Sequence, residues 1–450
     1  MRARATEARV AESGDGSRKT SAVPGGRLSR LGRMARLATG IAGGMLAEGG
    51  RQIAQGRMPR ASDLLLTPAN ARRLAEQLAN LRGAAMKMGQ LLSMDAGDLL
   101  PPQLSEILAR LRADAQAMPR RQLEGVLVKA WGKDWQRLFA DFSWQPLAAA
   151  SIGQVHRATT LDGRHLALKI QYPGVARSID SDVDNVATLL RIARLLPDGI
   201  NLAPLLHEAK RQLKAEADYL KEAGHLRHFG ELLADDDDFV VPSVDEALTR
   251  REVLAMSYVP GHAVERMDVA AQAVRDRIAE LLFRLLFREM FEFRLVQTDP
   301  NFANFRYQDA GQRVALLDFG ATRRYSKRVI DGYRTLFRGA RDGDRARLLA
   351  GAHEIGYFSA DIEPRHREAL LDLLELAGEP LAHPGSYDFG SSDLPARVRD
   401  AGMVLSFEKG YWHEPPADAV FLHRKVGGVF LLAARLRARA DLGRIIESHI

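Results

Sequence analysis

The segment QTDPNFANFRYQDAGQRVALLDFG, residues 297–320, contains the side chains that decide the fold. Asp299 stands five residues before Asn304, and Asp318 stands fourteen residues after Asn304, at the end of the apolar run 314–317. Mg²⁺ prefers oxygen ligands and commonly takes one or two carboxylates together with phosphate oxygens. Asn304 and Asp318 are therefore candidate magnesium ligands, and Asp299 is a candidate to orient an attacking hydroxyl or water.

This spacing, Asp-x-x-x-x-Asn followed by DFG, is typical of the catalytic loop and metal-binding motif of protein kinases. A kinase fold also needs a lysine on a strand that follows a phosphate-covering hairpin. Lys169 meets this need, because it lies in LALKI after an Asp162-Gly163 turn that predicts a β-hairpin over 151–171. The predicted fold class is α+β, a two-lobed protein-kinase-like fold that binds ATP with Mg²⁺.

The alanine-rich stretch AAASIGQV, residues 148–155, is predicted as the first strand of that hairpin. Aligned on the glycine-rich pattern G-x-G-x-x-G-x-V, it matches at Gly153 and Val155, whereas Ala148 and Ala150 replace two glycines. Alanine restricts close backbone approach to phosphates, so we expect altered nucleotide selectivity, and a change in that selectivity in Ala150→Gly. The nucleotide contacts predicted here are Ala148, Ala149, Ala150, Ser151, Gly153 and Val155.

A lysine that holds phosphates needs a carboxylate to position it, and a helix predicted over 203–232 offers three. On one continuous helix Asp218 and Glu222 share a face, while Glu216 lies about 200° away from Asp218. Glu222 is therefore the preferred partner of Lys169, and Glu216 remains the alternative.

The predicted strand 251–259 ends at Pro260-Gly261 and has the position of a kinase hinge. Met256 precedes three residues, 257–259, whose backbone groups are available to an adenine. Met256, Tyr258 and Val259 therefore complete the predicted nucleotide site.

The segment after DFG lacks the features that dock a peptide substrate. Residues 320–337 run almost directly into a helical pattern, and no A-P-E motif follows. Gln297-Thr298 precede Asp299, where protein kinases have His-Arg. Both observations disfavour phosphorylation of proteins.

The charge of the chain is concentrated at the N-terminus. The net charge is +7, yet residues 1–60 have twelve Arg/Lys against four Asp/Glu, so the remainder is close to neutral. Apolar residues and arginines alternate with helical spacing over 27–60, which predicts a basic amphipathic helix suited to an anionic membrane or to packing on the protein itself. There is no cysteine, no apolar run long enough to span a membrane and no pattern typical of nucleic-acid binding.

The motifs together resemble the UbiB/AarF family of atypical kinase-like proteins, the coenzyme Q-associated group with a mitochondrial Coq-type branch. Four segments carry the resemblance: AAMKMGQLLS (84–93), AAASIGQVH (148–156), Glu216-x-Asp218, and QTDPNFANF with LLDFGATR. The resemblance implies that Lys87 of the KxGQ motif reaches the nucleotide pocket, with Gln90 beside it, across the region where a protein substrate would dock. Lys87 and Gln90 are therefore added to Asp299 and Lys169 as candidate catalytic residues.

The resemblance also implies ATP hydrolysis that supports ubiquinone biosynthesis and responds to lipids. The expected partners are a nucleotide, an anionic or cardiolipin-like membrane surface, and quinone precursors or quinone-biosynthesis proteins, but no nucleic acid. The expected location is cytoplasmic and peripheral to the inner membrane for a bacterial protein, or the inner membrane face of mitochondria. A true protein kinase and a non-catalytic, nucleotide-switched scaffold remain the alternative functions.

The chain divides into five predicted parts. These are a disordered basic tail (1–26), the basic amphipathic helix (27–60), a KxGQ helical extension (61–140), a kinase-like N-lobe with inserted helices (141–261) and a helical C-lobe (262–450).

Overall fold

The computed structural model describes residues 81, 83–85, 87–88, 117–192, 203–299, 301–358, 362–405 and 416–450. The predicted basic tail, the predicted amphipathic helix, most of the KxGQ extension and Gln90 lie outside the described residues.

The smaller lobe is built on a five-stranded antiparallel sheet, in which β1, β3, β4 and β6 are neighbours in that order and β2 pairs with β3. Its strands are β1 (Phe139–Phe142), β2 (Ala148–Ala149), β3 (Gly153–Thr160), β4 (His165–Gln171) and β6 (Val253–Ser257). The predicted Asp162-Gly163 turn joins β3 to β4, and Gly163 has a φ of 87°, which favours glycine.

Helix α1 (Arg120–Trp131) covers one face of this sheet. It starts after Pro119, and its buried Leu123, Val126 and Leu127 join the same apolar cluster as Leu168 of β4. Helix α1 and the start of β1 fall in 61–140, which the sequence division assigns to the extension. Helix α1 ends at Trp131, since Gly132 follows it with a φ of 90°, and the chain enters β1 at Phe139.

Three helices lie between β4 and β6 in the chain: α2 (Val175–Ile192), α3 (Ala203–Glu216) and α4 (Tyr219–Leu232). The single helix predicted over 203–232 is wrong, because the chain breaks between α3 and α4. Asp218 has extended backbone dihedrals at the break and caps α4, and its side chain accepts hydrogen bonds from the amides of Leu220 and Lys221.

The larger lobe is mainly helical, with short strands near the other lobe. Its helices are α5 (Gln272–Phe287), a π-helical turn (Arg288–Phe293), α6 (Lys327–Asp342), α7 (Arg345–Ile355), α8 (Pro364–Ala377), α9 (Glu379–Ala382), α10 (Leu394–Met403), α11 (Ala417–Leu436) and α12 (Leu442–Glu447). Short 3₁₀ turns occupy Val264–Val269 and Phe302–Asn304, and a third, Trp135–Leu138, precedes β1 in the smaller lobe.

The strands of the larger lobe are β5 (Phe239–Val240), β7 (His262–Ala263), β8 (Leu295–Gln297), β9 (Phe305–Gln308), β10 (Arg313–Leu316), β11 (Thr322–Arg324), β12 (Tyr387–Asp388) and β13 (Arg439–Ala440). Strands of two to four residues present too few side chains for a pattern to be read. β5, whose sequence precedes β6, pairs in parallel with β10 and so joins the sheet of the larger lobe.

Candidate active site

Lys169 lies at the centre of a buried ionic cluster between the two lobes. Its ammonium is 2.8 Å from Oε1 and 3.1 Å from Oε2 of Glu222, and 2.8 Å from Oδ2 of Asp318. Strand β4 supplies the lysine, α4 supplies Glu222, and the chain after β10 supplies Asp318. Glu222, the preferred partner from the sequence, is thus the carboxylate that contacts Lys169, and the cluster ties the small lobe to the large one.

The break between α3 and α4 brings Glu216 to the same site. Had α3 continued, Glu216 would point away from the face that carries Glu222. Instead, a Cβ added at Gly320 would lie 3.4 Å from Glu222 Oε2 and 3.5 Å from Glu216 Cγ, so both side chains border this glycine. Gln171, on β4 two residues beyond Lys169, donates a hydrogen bond of 2.9 Å to the carbonyl of Ala217 and so holds the break against the sheet. Asp218 acts as the cap described above.

Lys87 forms the second buried pair of the site. Its ammonium lies 2.5 Å from Oε1 of Glu216, and its side chain is only 2% exposed. Burial lowers the pKa of Lys87, but the negative charges of Glu216 and Asp299 outweigh this and the pKa is raised. The lysine therefore stays charged beside Asp299. The resemblance predicts that Lys87 reaches the nucleotide pocket, and the structure places it against Glu216.

The alanine-rich stretch is a tight hairpin rather than one strand. Ala148 pairs with Val155 and Ala149 with Gln154, and the amide of Ala150 donates to the carbonyl of Gly153 at 2.9 Å. The predicted strand over 148–155 is therefore wrong, because the chain reverses at 150–152 and only then enters β3. The reversal lies just before β3, where a kinase-like lobe has its phosphate-covering turn.

Two glycines fix the position of this hairpin. A Cβ on Gly153 would lie 2.2 Å from the carbonyl oxygen of Ile170, so only glycine permits β3 to approach β4 there. A Cβ on Gly83 would lie 2.9 Å from the carbonyl oxygen of Ser151. The helical residues around Lys87 thus rest directly on the turn, and Ala84, Ala85 and Met88 are buried with Ile152.

Asp299 and Asn304 meet at the edge of the large lobe. The Asn304 side-chain amide donates to Oδ2 of Asp299 at 3.2 Å, and the Leu317 amide donates to the carbonyl of Asn304 at 2.9 Å. The Gly320 amide donates to Oδ1 of Asp318 at 2.9 Å. The second carboxylate oxygen of Asp299, Oδ1, is buried and has no hydrogen-bond partner within the described part of the chain. A buried acceptor without a donor is costly, so this oxygen is suited to receive a proton donor from a ligand.

The carboxylates of the site differ in their affinity for protons. Burial raises the pKa of Glu222 to about 7, because the positive charge of Lys169 offsets the effect of desolvation only in part. The pKa of Asp318 is lowered in spite of burial, because the positive charge of Lys169, together with hydrogen bonds from Lys169 and the Gly320 amide, favours the ionised form. The two carboxylates raise the pKa of Lys169 well above its ordinary value, against the effect of burial. Of these two carboxylates, Asp318 is therefore the one that stays ionised and is suited to bind a cation.

In the predicted hinge, two of the three backbone amides already donate hydrogen bonds within the protein. The amide of Ser257 donates to Ser243 O, and the amide of Tyr258 donates to His165 O, both at 2.8 Å. The amide of Val259 donates to no backbone carbonyl among the described residues. Met256 is buried beside the site in β6. Of the backbone donors predicted for adenine, the one at Val259 is left available.

Tyr219 is a site residue that the sequence reasoning missed. It is fully buried, and its ring centroid lies 5.3 Å from the Lys169 ammonium. Phe319 of the DFG motif packs on Phe229 of α4, with ring centroids 4.6 Å apart. These aromatic residues dock α4 between the lobes. No local pattern marks them, although the cap at Asp218 could have signalled that a helix begins at Tyr219.

The comparison with known proteins gives the family. Residues 110–351 match the ABC1 atypical kinase-like domain. The chain belongs to this family. Atypical kinase COQ8B, mitochondrial, of Rattus norvegicus is 40% identical over 447 residues, which cover 97% of this chain and 83% of the relative. Atypical kinase COQ8, mitochondrial, of Saccharomyces cerevisiae is 37% identical over 432 residues, 95% of this chain and 86% of the relative.

A solved structure shares the fold of this ABC1 protein. Rv3197 of Mycobacterium tuberculosis, determined with erythromycin, superposes with a TM-score of 0.58 over 85% of this chain and 96% of its own, at 24% sequence identity. The predicted two-lobed α+β kinase-like fold and the predicted family are confirmed. The family match also favours an atypical kinase-like enzyme over a true protein kinase.

Proposed function

We propose that this ABC1 protein is a Mg²⁺-dependent ATPase that supports ubiquinone biosynthesis at a membrane, with water, a small molecule or a lipid as the phosphoryl acceptor. The observation that carries the proposal is the buried cluster in which Lys169 joins Glu222 of one lobe to Asp318 of the other. Such a cluster brings a phosphate-binding cation next to Asp299 and Asn304, the residues required on the acceptor side.

Each residue of the cluster has a separate task in this proposal. Lys169, oriented by Glu222, binds the phosphates of ATP, and the hairpin at 148–155 covers them. Asp318 and Asn304 offer the oxygen ligands that Mg²⁺ prefers, and the cation would neutralise charge on the phosphates. Asp299, whose Oδ1 has no donor among the described residues, accepts the proton of the attacking water or hydroxyl while the bond between the γ-phosphorus and the leaving oxygen breaks.

Two features support a small acceptor rather than a polypeptide. Lys87 and its helical neighbours cover the site from the side of Glu216 and Asp299. The chain after Gly320 forms the short strand β11, and α6 begins at Lys327, so little chain remains to bind an extended peptide. These two features leave little room for a polypeptide beside Asp299 and favour a small acceptor.

The proposed membrane location rests on the basic amphipathic sequence at 27–60, which lies outside the described residues. Among the described helices, none is long and apolar enough to cross a membrane. The names of the rat and yeast relatives place those proteins in mitochondria. We propose peripheral attachment to an anionic membrane surface, through charge and the apolar face of this helix.

The test is phosphate release from ATP with and without anionic liposomes. We expect liposomes to increase the rate, and Asp318→Asn to lower it at least about 100-fold, since a lost magnesium ligand removes several kcal/mol of transition-state stabilisation. Asp237→Asn, in an exposed loop, is the matched control and should keep the full rate. Equal rates in Asp318→Asn and the unmodified protein would refute the proposal. Restoration of quinone synthesis by a variant that binds ATP without turnover would instead support the scaffold alternative.

A further inference from the structure

A second buried ionic cluster lies behind Asp299, inside the large lobe. The Lys425 ammonium is 2.9 Å from Oε2 of Glu289 and 3.4 Å from Oε1 of Gln297. The side chains of Lys425 and Glu289 are 3% and 1% exposed, so solvent contributes almost nothing to their stabilisation. We call these three residues the Lys425 cluster.

The Lys425 cluster joins three elements at the base of the catalytic segment. Lys425 comes from α11, Glu289 from the π-helical turn, and Gln297 is the last residue of β8, two residues before Asp299. Removing an ion pair from water costs more than an apolar replacement would, so packing alone is a poor explanation for it. The position of Gln297, where protein kinases have histidine, suggests another role.

Lys425 and Asp299 also border the same space. Both residues line a small cavity whose other walls are apolar and come from the catalytic segment, α5 and α11, with Phe302, Phe305, Leu282 and Val429 among them. Thr298, between Gln297 and Asp299, is held from the opposite side, because its amide and hydroxyl donate to the carbonyl of Ala321 at 2.9 and 2.7 Å. The backbone at Asp299 is therefore fixed from the DFG side by Thr298 and from α11 by the Lys425 cluster.

We propose that Lys425 is a positioning residue for catalysis: through Gln297 and Glu289 it holds β8 so that the Asp299 carboxylate is aimed at the acceptor. This inference rests on the proposed function, because it assigns Asp299 to the acceptor. An error of about 1 Å in a catalytic group is enough to reduce a rate about 100-fold. Lys425 does not contact nucleotide in this proposal, so its loss should affect kcat and leave the KM for ATP unchanged.

The experiment compares Lys425→Met with the double variant Lys425→Met/Glu289→Gln. The single variant leaves a buried carboxylate unpaired and should be strongly destabilised, whereas removing both charges restores much of the stability. We expect the double variant to unfold near the midpoint of the unmodified protein, yet to hydrolyse ATP with a kcat reduced about 10- to 100-fold and a KM for ATP within about twofold. Hydrogen exchange of the amides at 295–304 should accelerate at least about tenfold, while α6 and α7 stay protected.

The matched control is Arg444→Met/Glu280→Gln, which removes an exposed ion pair of 3.3 Å from the same lobe and should change neither activity nor exchange. Recovery of kcat together with stability in the double variant would show that the Lys425 cluster only supports packing. Unchanged exchange at 295–304 would also overturn the inference. If the unmodified protein itself released no phosphate, the proposed function would fail, but the exchange measurement would still decide whether Lys425 holds this segment.

Discussion

The two lysines of the candidate active site, Lys169 and Lys87, are both buried and charged but are held in different ways. Lys169 lies on a central strand and contacts two carboxylates, one from each lobe. Lys87 lies on a helical segment outside the sheet, and the one carboxylate that it contacts among the described residues is Glu216, whose side chain is 13% exposed. Lys169 therefore stabilises the contact between the two lobes. Lys87 covers the candidate active site, whose Lys169–Glu222–Asp318 cluster does not depend on it.

This difference predicts which of the two lysine side chains the protein can lose and still bind nucleotide. Removing Lys169 leaves two carboxylates close together without a cation, and both lobes lose their shared contact. Removing Lys87 leaves one carboxylate that water can reach. The comparison thus predicts that nucleotide binding depends on Lys169 and survives the loss of Lys87.

The largest expected effect is that of Lys169→Met. Breaking a buried ion pair by deleting one partner costs about 3–5 kcal/mol of unfolding free energy, and the phosphates lose their cation. We expect a large decrease in stability by urea denaturation and no measurable ATP binding by calorimetry. If ATP still bound with unchanged affinity, Lys169 would not be the phosphate-binding residue.

The next effect is a pH dependence that comes from Glu222. Its pKa is about 7 in the folded protein and 4.5 ordinarily, so the stabilisation it contributes is present below pH 4.5 and is lost as the pH rises through 7. The unfolding free energy of the unmodified protein, measured relative to Glu222→Gln, should fall by up to about 3 kcal/mol from pH 4.5 to 8. Urea titrations of both proteins over this range check it, and a constant difference would contradict the raised pKa.

Much of the site could be predicted because its residues are close in the sequence. Asp299, Asn304 and Asp318 share one 24-residue segment, and Lys169 follows a hairpin that a local turn signal indicates. The break before Asp218 was accessible in principle, since aspartate favours helix caps, but the helical periodicity on both sides concealed it.

Contacts between distant segments could not be predicted in the same way. Lys87 and Glu216 are 129 residues apart, and Lys425 and Gln297 are 128 apart. No periodicity connects such positions. The local sequence around a lysine in an apolar helix does not distinguish a buried, paired lysine from a solvated one. The family resemblance supplied Lys87, while nothing in the sequence supplied Lys425 or its partner Glu289.

A smaller effect is expected for Lys87→Met. A hydrogen bond to a charged group contributes about 1.5–3 kcal/mol, and partial exposure of Glu216 puts the loss near the lower end. Because the Lys169 cluster is intact, ATP affinity should stay within about threefold of the unmodified value, in contrast to Lys169→Met. Urea denaturation and calorimetry on both variants make the comparison. Loss of ATP binding in Lys87→Met would show that ATP binding requires both lysines.

The smallest effect tests how the helical residues around Lys87 rest on the hairpin. In Gly83→Ala the new Cβ would lie 2.9 Å from the carbonyl oxygen of Ser151 and 3.1 Å from Cγ2 of Ile152, so helix or hairpin must move. We expect a destabilisation of about 1–2 kcal/mol, typical of mild overpacking, and a change in ATP affinity because the phosphate-covering turn shifts.

Gly125→Ala is the matched control for that substitution. Gly125 lies inside α1, and its added Cβ would meet nothing within 4 Å. Alanine should therefore stabilise the protein by about 0.5–1 kcal/mol through helix propensity, with no effect on ATP. If Gly83→Ala lowers the unfolding free energy while Gly125→Ala raises it, the strain lies at the contact between Gly83 and Ser151. A stabilising Gly83→Ala would mean that the residues around Lys87 are free to leave the hairpin, and that Lys87 alone, through Glu216, holds them over the site.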